Sequence, residues 1–202
     1  MSIEGKIAIV TGGANGIGFC TARKLLRNGA KAVALLDLSD SGGESAAADL
    51  NNEFGKDRAI FIACDVSKNE QFQVAVFKKV VNDLNGLDIV INNAGIYNDK
   101  KYNADVTNET DFMKTIDVNV TSVIRATLLG IQQMQKDLGG KGGAIVNISS
   151  LAGLYAAPQL PVYSATKHAV VSFSRSFAES YQIEKTGIRV ITLCPGLTET
   201  AL

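Results

Sequence analysis

Short apolar runs at 6–11, 32–37, 59–63, 88–92, 143–149 and 188–193 punctuate the chain. Runs such as Ile7-Ala-Ile-Val and Ile89-Val-Ile carry no polar alternation, which predicts strands buried on both faces. Between them, longer stretches with helical spacing predict helices over 17–28, 42–54, 69–84, 110–137 and 164–186. Strand and helix in turn predict an α/β fold, a doubly wound parallel sheet with helices on both faces. No repeat, low-complexity tract or linker interrupts the pattern, so one domain over 1–202 is expected. Residues 97–109 are the most polar stretch and are expected to form a surface loop at the carboxyl edge of the sheet.

Composition narrows the class. With 202 residues, 46% of them hydrophobic, the chain can bury a substantial core. Twenty acidic and twenty basic residues cancel, and no basic run is interleaved with aromatics, so no nucleic-acid partner is expected. Cys20, Cys64 and Cys194 are odd in number and widely spaced. Neither a disulfide framework nor a metal site is expected, and reduced thiols suit the cytoplasm. The first residues enter a strand without a signal-like apolar region, and no run approaches the ~20 apolar residues of a membrane span.

Thr11–Gly18, Thr-Gly-Gly-Ala-Asn-Gly-Ile-Gly, follows the first predicted strand and opens the first helix. Gly12, Gly16 and Gly18 permit a tight turn and close backbone approach, while a helix N-terminus offers free N–H groups to phosphate. Such a turn can also be mere punctuation. Asp37, ending the second strand, tips the balance, because a carboxylate there can bind ribose hydroxyls and repel the extra phosphate of NADP. No lysine or arginine lies in the turn, so NAD is the expected cofactor. The plainer alternative is that Asp37 caps the loop from Leu38 to Ser41.

Tyr163 and Lys167 stand one helical turn apart in Val-Tyr-Ser-Ala-Thr-Lys-His and share a face. A phenol beside an ammonium is a route to a proton acceptor, since a nearby cation favours the phenolate. By itself the spacing is common on helices. Ser149 and Ser150 end the fifth strand, and alternation places them on opposite faces. His168, Asp88 and Asp117 read as packing, turn or helix-end residues.

Together the glycine turn, the acidic strand end and Tyr-x-x-x-Lys resemble the short-chain dehydrogenase/reductase family. Further matches are Cys64-Asp65-Val66, Asn92-Asn93-Ala94-Gly95, Asn119, Ser150 and Pro195-Gly196, in order along nearly the whole chain. The resemblance implies a Rossmann-type sheet and hydride exchange between NAD and a secondary alcohol. It implies catalytic roles for Asn119, Ser150, Tyr163 and Lys167. Cofactor contacts are implied for Gly12, Asn15, Gly16, Ile17, Gly18, Asp37, Leu38, Cys64, Asp65, Val66, Asn92, Ala94 and Gly95. Tyr163, Lys167, Pro195, Gly196 and Thr198 complete that set.

In the implied chemistry Tyr163 is the general base, and Lys167 lowers its pKa and holds the nicotinamide ribose. Oxidised nicotinamide adds a second positive charge. Ser150 hydrogen-bonds the substrate oxygen, and Asn119 holds a water linking Lys167 to solvent. The substrate expected is a hydrophobic, lipid-like alcohol or ketone of prostaglandin, steroid or isoprenoid type. Leu160 stands where some members carry a hydrogen-bonding glutamine, which argues against a prostaglandin. An idle nucleotide-binding or storage paralogue is the rival of another class. Helices 110–137 and 164–186 carry Val120, Val123, Ile124, Leu128, Ile131, Val170, Phe173, Phe177 and Tyr181, and the family pairs such helices in homodimers or homotetramers. Members usually run to about 250 residues, with a helical lid and a seventh strand after Pro-Gly, so a C-terminally incomplete domain is expected.

Overall fold

The computed structural model describes residues 2–68, 74–97, 109–180 and 183–199. Its strands are β1 (Ile7–Thr11), β2 (Ala32–Asp37), β3 (Ala59–Ala63), β4 (Ile89–Asn92), β5 (Gly143–Ile148) and β6 (Ile188–Leu193). They form one parallel sheet in the order β3-β2-β1-β4-β5-β6. The order reverses between β1 and β4. In open α/β sheets, ligands bind outside the carboxyl ends of the strands at such a reversal.

Apolar runs become strands here because helices cover both faces. Ile9, Ala34, Leu36, Val90 and Ile145 bury into one core layer, while Ala8, Val10, Val33, Leu35, Ile89 and Ile91 bury into the other. Alternate residues of one strand thus serve opposite layers. The helices are α1 (Gly16–Arg27), α2 (Gly43–Phe54), α3 (Val74–Leu84), α4 (Glu109–Ile116), α5 (Ser122–Met134), α6 (Pro161–Ser180) and α7 (Ile183–Thr186).

Two predicted helices differ from the structure. The stretch 110–137 is divided by a π-helical turn at Asp117–Thr121, where the Ser122 N–H reaches the Asp117 carbonyl. It then stops at Met134, where Gln135 turns extended. The stretch 164–186 begins earlier, at Pro161, whose missing N–H costs nothing in a helix's first turn. It ends at Ser180, and α7 follows separately. Of the predicted helix 69–84, residues 69–73 lie outside the described residues, as do 98–108 of the predicted loop and Tyr181. Val123, Ile131 and Val170 are consumed by the core, whereas Leu128 stays exposed. No described helix is long and apolar enough to cross a membrane.

Candidate active site

The glycine turn is built against the end of β4. Thr11 Oγ1 accepts from Asn93 N and Ala94 N, both at 3.0 Å. Asn93 Nδ2 donates to Thr11 O at 3.1 Å and Gly12 O at 3.0 Å. Gly12 (φ 62) and Gly16 (φ 52) occupy the left-handed region, which a side chain would strain. A Cβ on Gly18 would lie 2.0 Å from Gly12 O, so only glycine lets α1 approach the turn this closely.

The N-terminus of α1 is left for an anion. Asn15 makes no side-chain cap; its amide donates to Ser41 O instead, at 2.9 Å. No acidic residue stands in the first turn. Free N–H groups at a helix start, with no competing carboxylate, suit a phosphate. Asp37 stands beside them, half-buried, and ties β2 to the turn. Its Oδ2 accepts from Ala14 N at 3.0 Å and its Oδ1 from Leu38 N at 2.8 Å. Asp37 thus caps both the glycine turn and the first residue of its own loop, and each carboxylate oxygen keeps a further acceptor site.

At three of the expected cofactor positions, Asn92, Cys64 and Val66, the side chain faces the core, which leaves the backbone for any contact with a cofactor. The Asn92 side chain points into the core under α5 and α6, donating to Asn147 Oδ1 at 2.8 Å and Thr127 Oγ1 at 3.4 Å. Its neighbour Asn93 holds the turn. Cys64 and Val66 bury their side chains in the core layer with Ile62 and Phe77. Burial, with the Asp65 charge adding to it, pushes the Cys64 thiol up to about 12, so it stays neutral. Between them Asp65 is half-buried and accepts from Ser67 N at 2.9 Å and Ser67 Oγ at 2.7 Å.

Lys167 and Tyr163 lie together on α6. The Lys167 Nζ sits 5.5 Å from the centre of the Tyr163 ring and donates to Ile148 O at 3.0 Å. The lysine is buried, and that burial lowers its pKa to about 8, with Cys194 acting in the opposite sense. A Cβ on Gly95 would stand 3.3 Å from Lys167 Nζ and 3.5 Å from Asn119 Oδ1, so the end of β4 closes on both.

Asn119, in the π-helical turn, is fully buried. Its Oδ1 accepts from Ile96 N at 2.8 Å, and its Nδ2 donates to Ile96 O at 2.8 Å and Thr166 Oγ1 at 3.1 Å. Thr166 Oγ1 in turn donates to Tyr163 O at 2.7 Å. Every polar group of this carboxamide faces protein. The carboxamide is a bracket that fixes Ile96 to α6, so the expected water would have to be held by the Asn119 main chain.

Ser149 and Ser150 diverge as alternation requires. Ser149 Oγ is buried and donates to Lys167 O at 2.8 Å. Ser150 is extended, and its Oγ accepts from Ala152 N at 3.1 Å, which leaves its proton to be donated. The turn after it leans on α6 through Ser164 Oγ, which donates to Ala152 O at 2.7 Å. Leu151 N also donates to Pro195 O at 2.9 Å, so Pro195 and Gly196 border the same edge. Thr198 Oγ1 donates to Gly196 O at 3.1 Å. His168 Nδ1 lies 2.9 Å from Ser164 O, a helix-internal contact. Asp88 accepts from Lys6 Nζ at 2.9 Å and Ile7 N at 3.0 Å, a structural role.

A cavity of about 540 Å³ along α1 reaches Gly16, Ile17, Thr198 and Glu199 but touches none of Ser150, Tyr163 or Lys167. That hollow lies apart from the side chains expected to carry the chemistry. Among the described residues no cluster could hold a metal ion.

Comparison with known proteins agrees with this architecture. The family model described as short chain dehydrogenase matches residues 6–202. The chain is 43% identical over 202 residues to a human protein named 15-hydroxyprostaglandin dehydrogenase [NAD(+)], covering all of this chain and 71% of that protein. It is 38% identical over 200 residues to an uncharacterized oxidoreductase of Thermotoga maritima, covering 99% of this chain and 74% of that one. A crystal structure of a short chain dehydrogenase/reductase from Burkholderia phymatum in complex with NAD superposes with a TM-score of 0.85 at 26% identity. That alignment covers 99% of this chain and 68% of the other. The chain belongs to the short-chain dehydrogenase family.

Proposed function

We propose that this oxidoreductase oxidises a secondary alcohol on a lipid-like molecule with NAD as hydride acceptor, and reduces the ketone in reverse. The observation that carries the reading is the buried Lys167 ammonium held 5.5 Å from the Tyr163 ring, with Gly95 and Asn119 closing on it. A lysine so placed, with the glycine turn and an uncapped α1 N-terminus at the same sheet edge, is hard to explain as packing alone.

The residues fit the cofactor. The α1 N-terminus and the turn from Gly12 to Gly18 would take the pyrophosphate, and Asp37 the adenosine ribose. Leu38 and Asp65 would flank the adenine, and Ala94, Gly95, Pro195, Gly196 and Thr198 the central and nicotinamide portions. Bound NAD would supply the electron sink; the protein supplies alignment and proton handling. Tyr163 would accept the carbinol proton, helped by the Lys167 charge. Ser150 would donate a hydrogen bond to the same oxygen as negative charge develops there. Lys167 has two further N–H donors beyond its bond to Ile148 O, enough to hold a ribose hydroxyl.

The human relative's name supports a lipid substrate, and Leu160 at the start of α6 favours an apolar neighbour over a polar one. Exposed Leu128 on α5 supports pairing of α5 and α6 with a second subunit.

NADH absorbance recorded with secondary hydroxy-fatty acids, prostaglandins and hydroxysteroids, and with the primary alcohol farnesol as the contrast, tests the substrate class. Tyr163→Phe should lower kcat by about a thousandfold while NADH affinity stays within about twofold. Wild-type turnover by that variant would sink the base assignment. Binding of NADH without turnover of any alcohol would favour the idle paralogue.

A further inference from the structure

We infer that Tyr97 is a specificity-determining residue, forming the wall of the alcohol site that recognises an apolar chain beside the carbinol. The inference deepens the reading above and rests on it. Tyr97 follows Ile96 directly, and its ring meets the Tyr163 ring edge-on, with centroids 6.3 Å apart and planes at 80°. Lys167 Nζ stands 5.5 Å from the same Tyr163 ring. The phenol that would take the proton is therefore flanked by a cation from its own helix and an aromatic ring from the end of β4.

Nothing about this position is slack. Asn119 holds both the N–H and the C=O of Ile96, and passes through Thr166 to the Tyr163 carbonyl. The backbone entering Tyr97 is thus fixed to the backbone carrying Tyr163. Yet Tyr97 is 56% exposed, so most of its ring faces outward and not into the core. A large aromatic with an anchored approach and an open ring can line a binding site, as aromatic side chains commonly do.

The turn that follows Ser150 exposes Leu151 and Tyr155 as well. Leu151 lies against Gly196, where an added Cβ would meet its Cδ1 at 3.3 Å. The two segments that border Tyr163 and Ser150 each offer apolar surface. A carbon chain leaving a carbinol held at the Tyr163 hydroxyl meets Tyr97 within its first few carbons. A bare two- or three-carbon arm does not fill that wall. The substrates favoured are secondary alcohols with extended apolar chains.

The test compares 2-octanol with 2-butanol, which differ only in apolar length, using full-length protein and saturating NAD. The readout is the ratio of their kcat/KM values. Tyr97→Ala should lower that ratio by about tenfold, the scale of discrimination that a few methylenes in a pocket provide. Tyr97→Phe should restore it, because the wall needs the ring and not the hydroxyl. NADH affinity, measured on both variants, verifies that each is folded; Tyr97→Leu serves if the alanine variant is not. A role confined to orienting Tyr163 would depress both alcohols equally and leave the ratio unmoved, which overturns the inference. Wild-type protein that oxidises no secondary alcohol, neither these two nor the lipid panel, overturns the proposed function together with it, whereas turnover with an unmoved ratio overturns the Tyr97 role alone.

Discussion

Asn119 grips both main-chain groups of Ile96, accepting from its N–H and donating to its C=O at 2.8 Å each. A side-chain amide is the one group that can do both, since it carries a donor and an acceptor side by side. The pair joins the segment after β4 to the π-helical turn, and a third bond to Thr166 extends the link to α6.

Removing the bracket should therefore cost stability before it costs chemistry. Asn119→Ala leaves two backbone groups of Ile96 and one hydroxyl without their partner. The expected loss is about 3 kcal/mol, read from the urea midpoint. Asn119→Asp keeps the shape but faces an acceptor toward Ile96 O, so it should not rescue. Were the amide instead holding water for proton transfer, activity would fall while the midpoint stayed put.

Asn92 and Asn93 are adjacent in sequence and opposite in role. Asn92→Ala breaks the core chain of Asn92, Asn147 and Ser174 and should destabilise the fold by about 2 kcal/mol. NADH affinity should stay within about twofold. Asn93→Ala frees the carbonyls of Thr11 and Gly12 and loosens the turn, so NADH binding should weaken about tenfold. Fluorescence titration of NADH on both variants decides; the reverse ranking would restore Asn92 to the site.

That pair also marks how far the sequence could be read. Strands were legible because burial on both faces writes them as unbroken apolar runs, and the period of two separated Ser149 from Ser150. The same period does not part Asn92 from Asn93, because both faces of β4 are core and the strand ends at Asn92; their tertiary partners, Asn147 for one and Thr11 for the other, do. Cys64 and Val66 show a similar limit, since a motif names a segment while burial decides which of its side chains is available. The break at Asp117–Thr121 had no local signal, for Asp-Val-Asn-Val-Thr contains neither glycine nor proline. It accompanies the tertiary bonds of Asn119, which a helical pattern cannot display. The meeting of Tyr97 with Tyr163 was likewise invisible, because it depends on a link through Ile96, Asn119 and Thr166.

Lys167 makes the fold sensitive to pH in a definite direction. Burial holds its pKa at about 8, against 10.5 for a free lysine. The folded state thus opposes the charge, a cost on the order of 3 kcal/mol. That cost is complete below about pH 8, fades between about 8 and 10.5, and is gone above. Without cofactor, Lys167→Met should therefore be more stable than wild type at pH 7, and the gap should close toward pH 10.5. Comparing the two proteins at each pH cancels all other titrations. Urea midpoints separated by a constant interval from pH 7 to 10.5 would refute the buried-ammonium account.

Asp37 lets the proposed basis of cofactor preference be tested on one charge. Its carboxylate holds Ala14 N and Leu38 N, so alanine would remove a structural tie along with the charge. Asparagine would remove the charge and keep part of the tie. In Asp37→Asn the amide oxygen can still accept from one of these N–H groups, while the repulsion toward a ribose phosphate disappears. The ratio of NADH to NADPH affinity should then fall by about tenfold, equivalent to about 1.4 kcal/mol. Asp37→Ala should show a comparable fall and lose a further ~1 kcal/mol of stability from the untied turn. No lysine or arginine in the turn from Thr11 to Gly18 stands ready to attract the added phosphate. The variants should therefore lose discrimination without becoming NADPH-selective. Titration of both nucleotides against the three proteins separates charge from scaffolding: an unchanged ratio in Asp37→Asn would mean that the carboxylate only caps its loop.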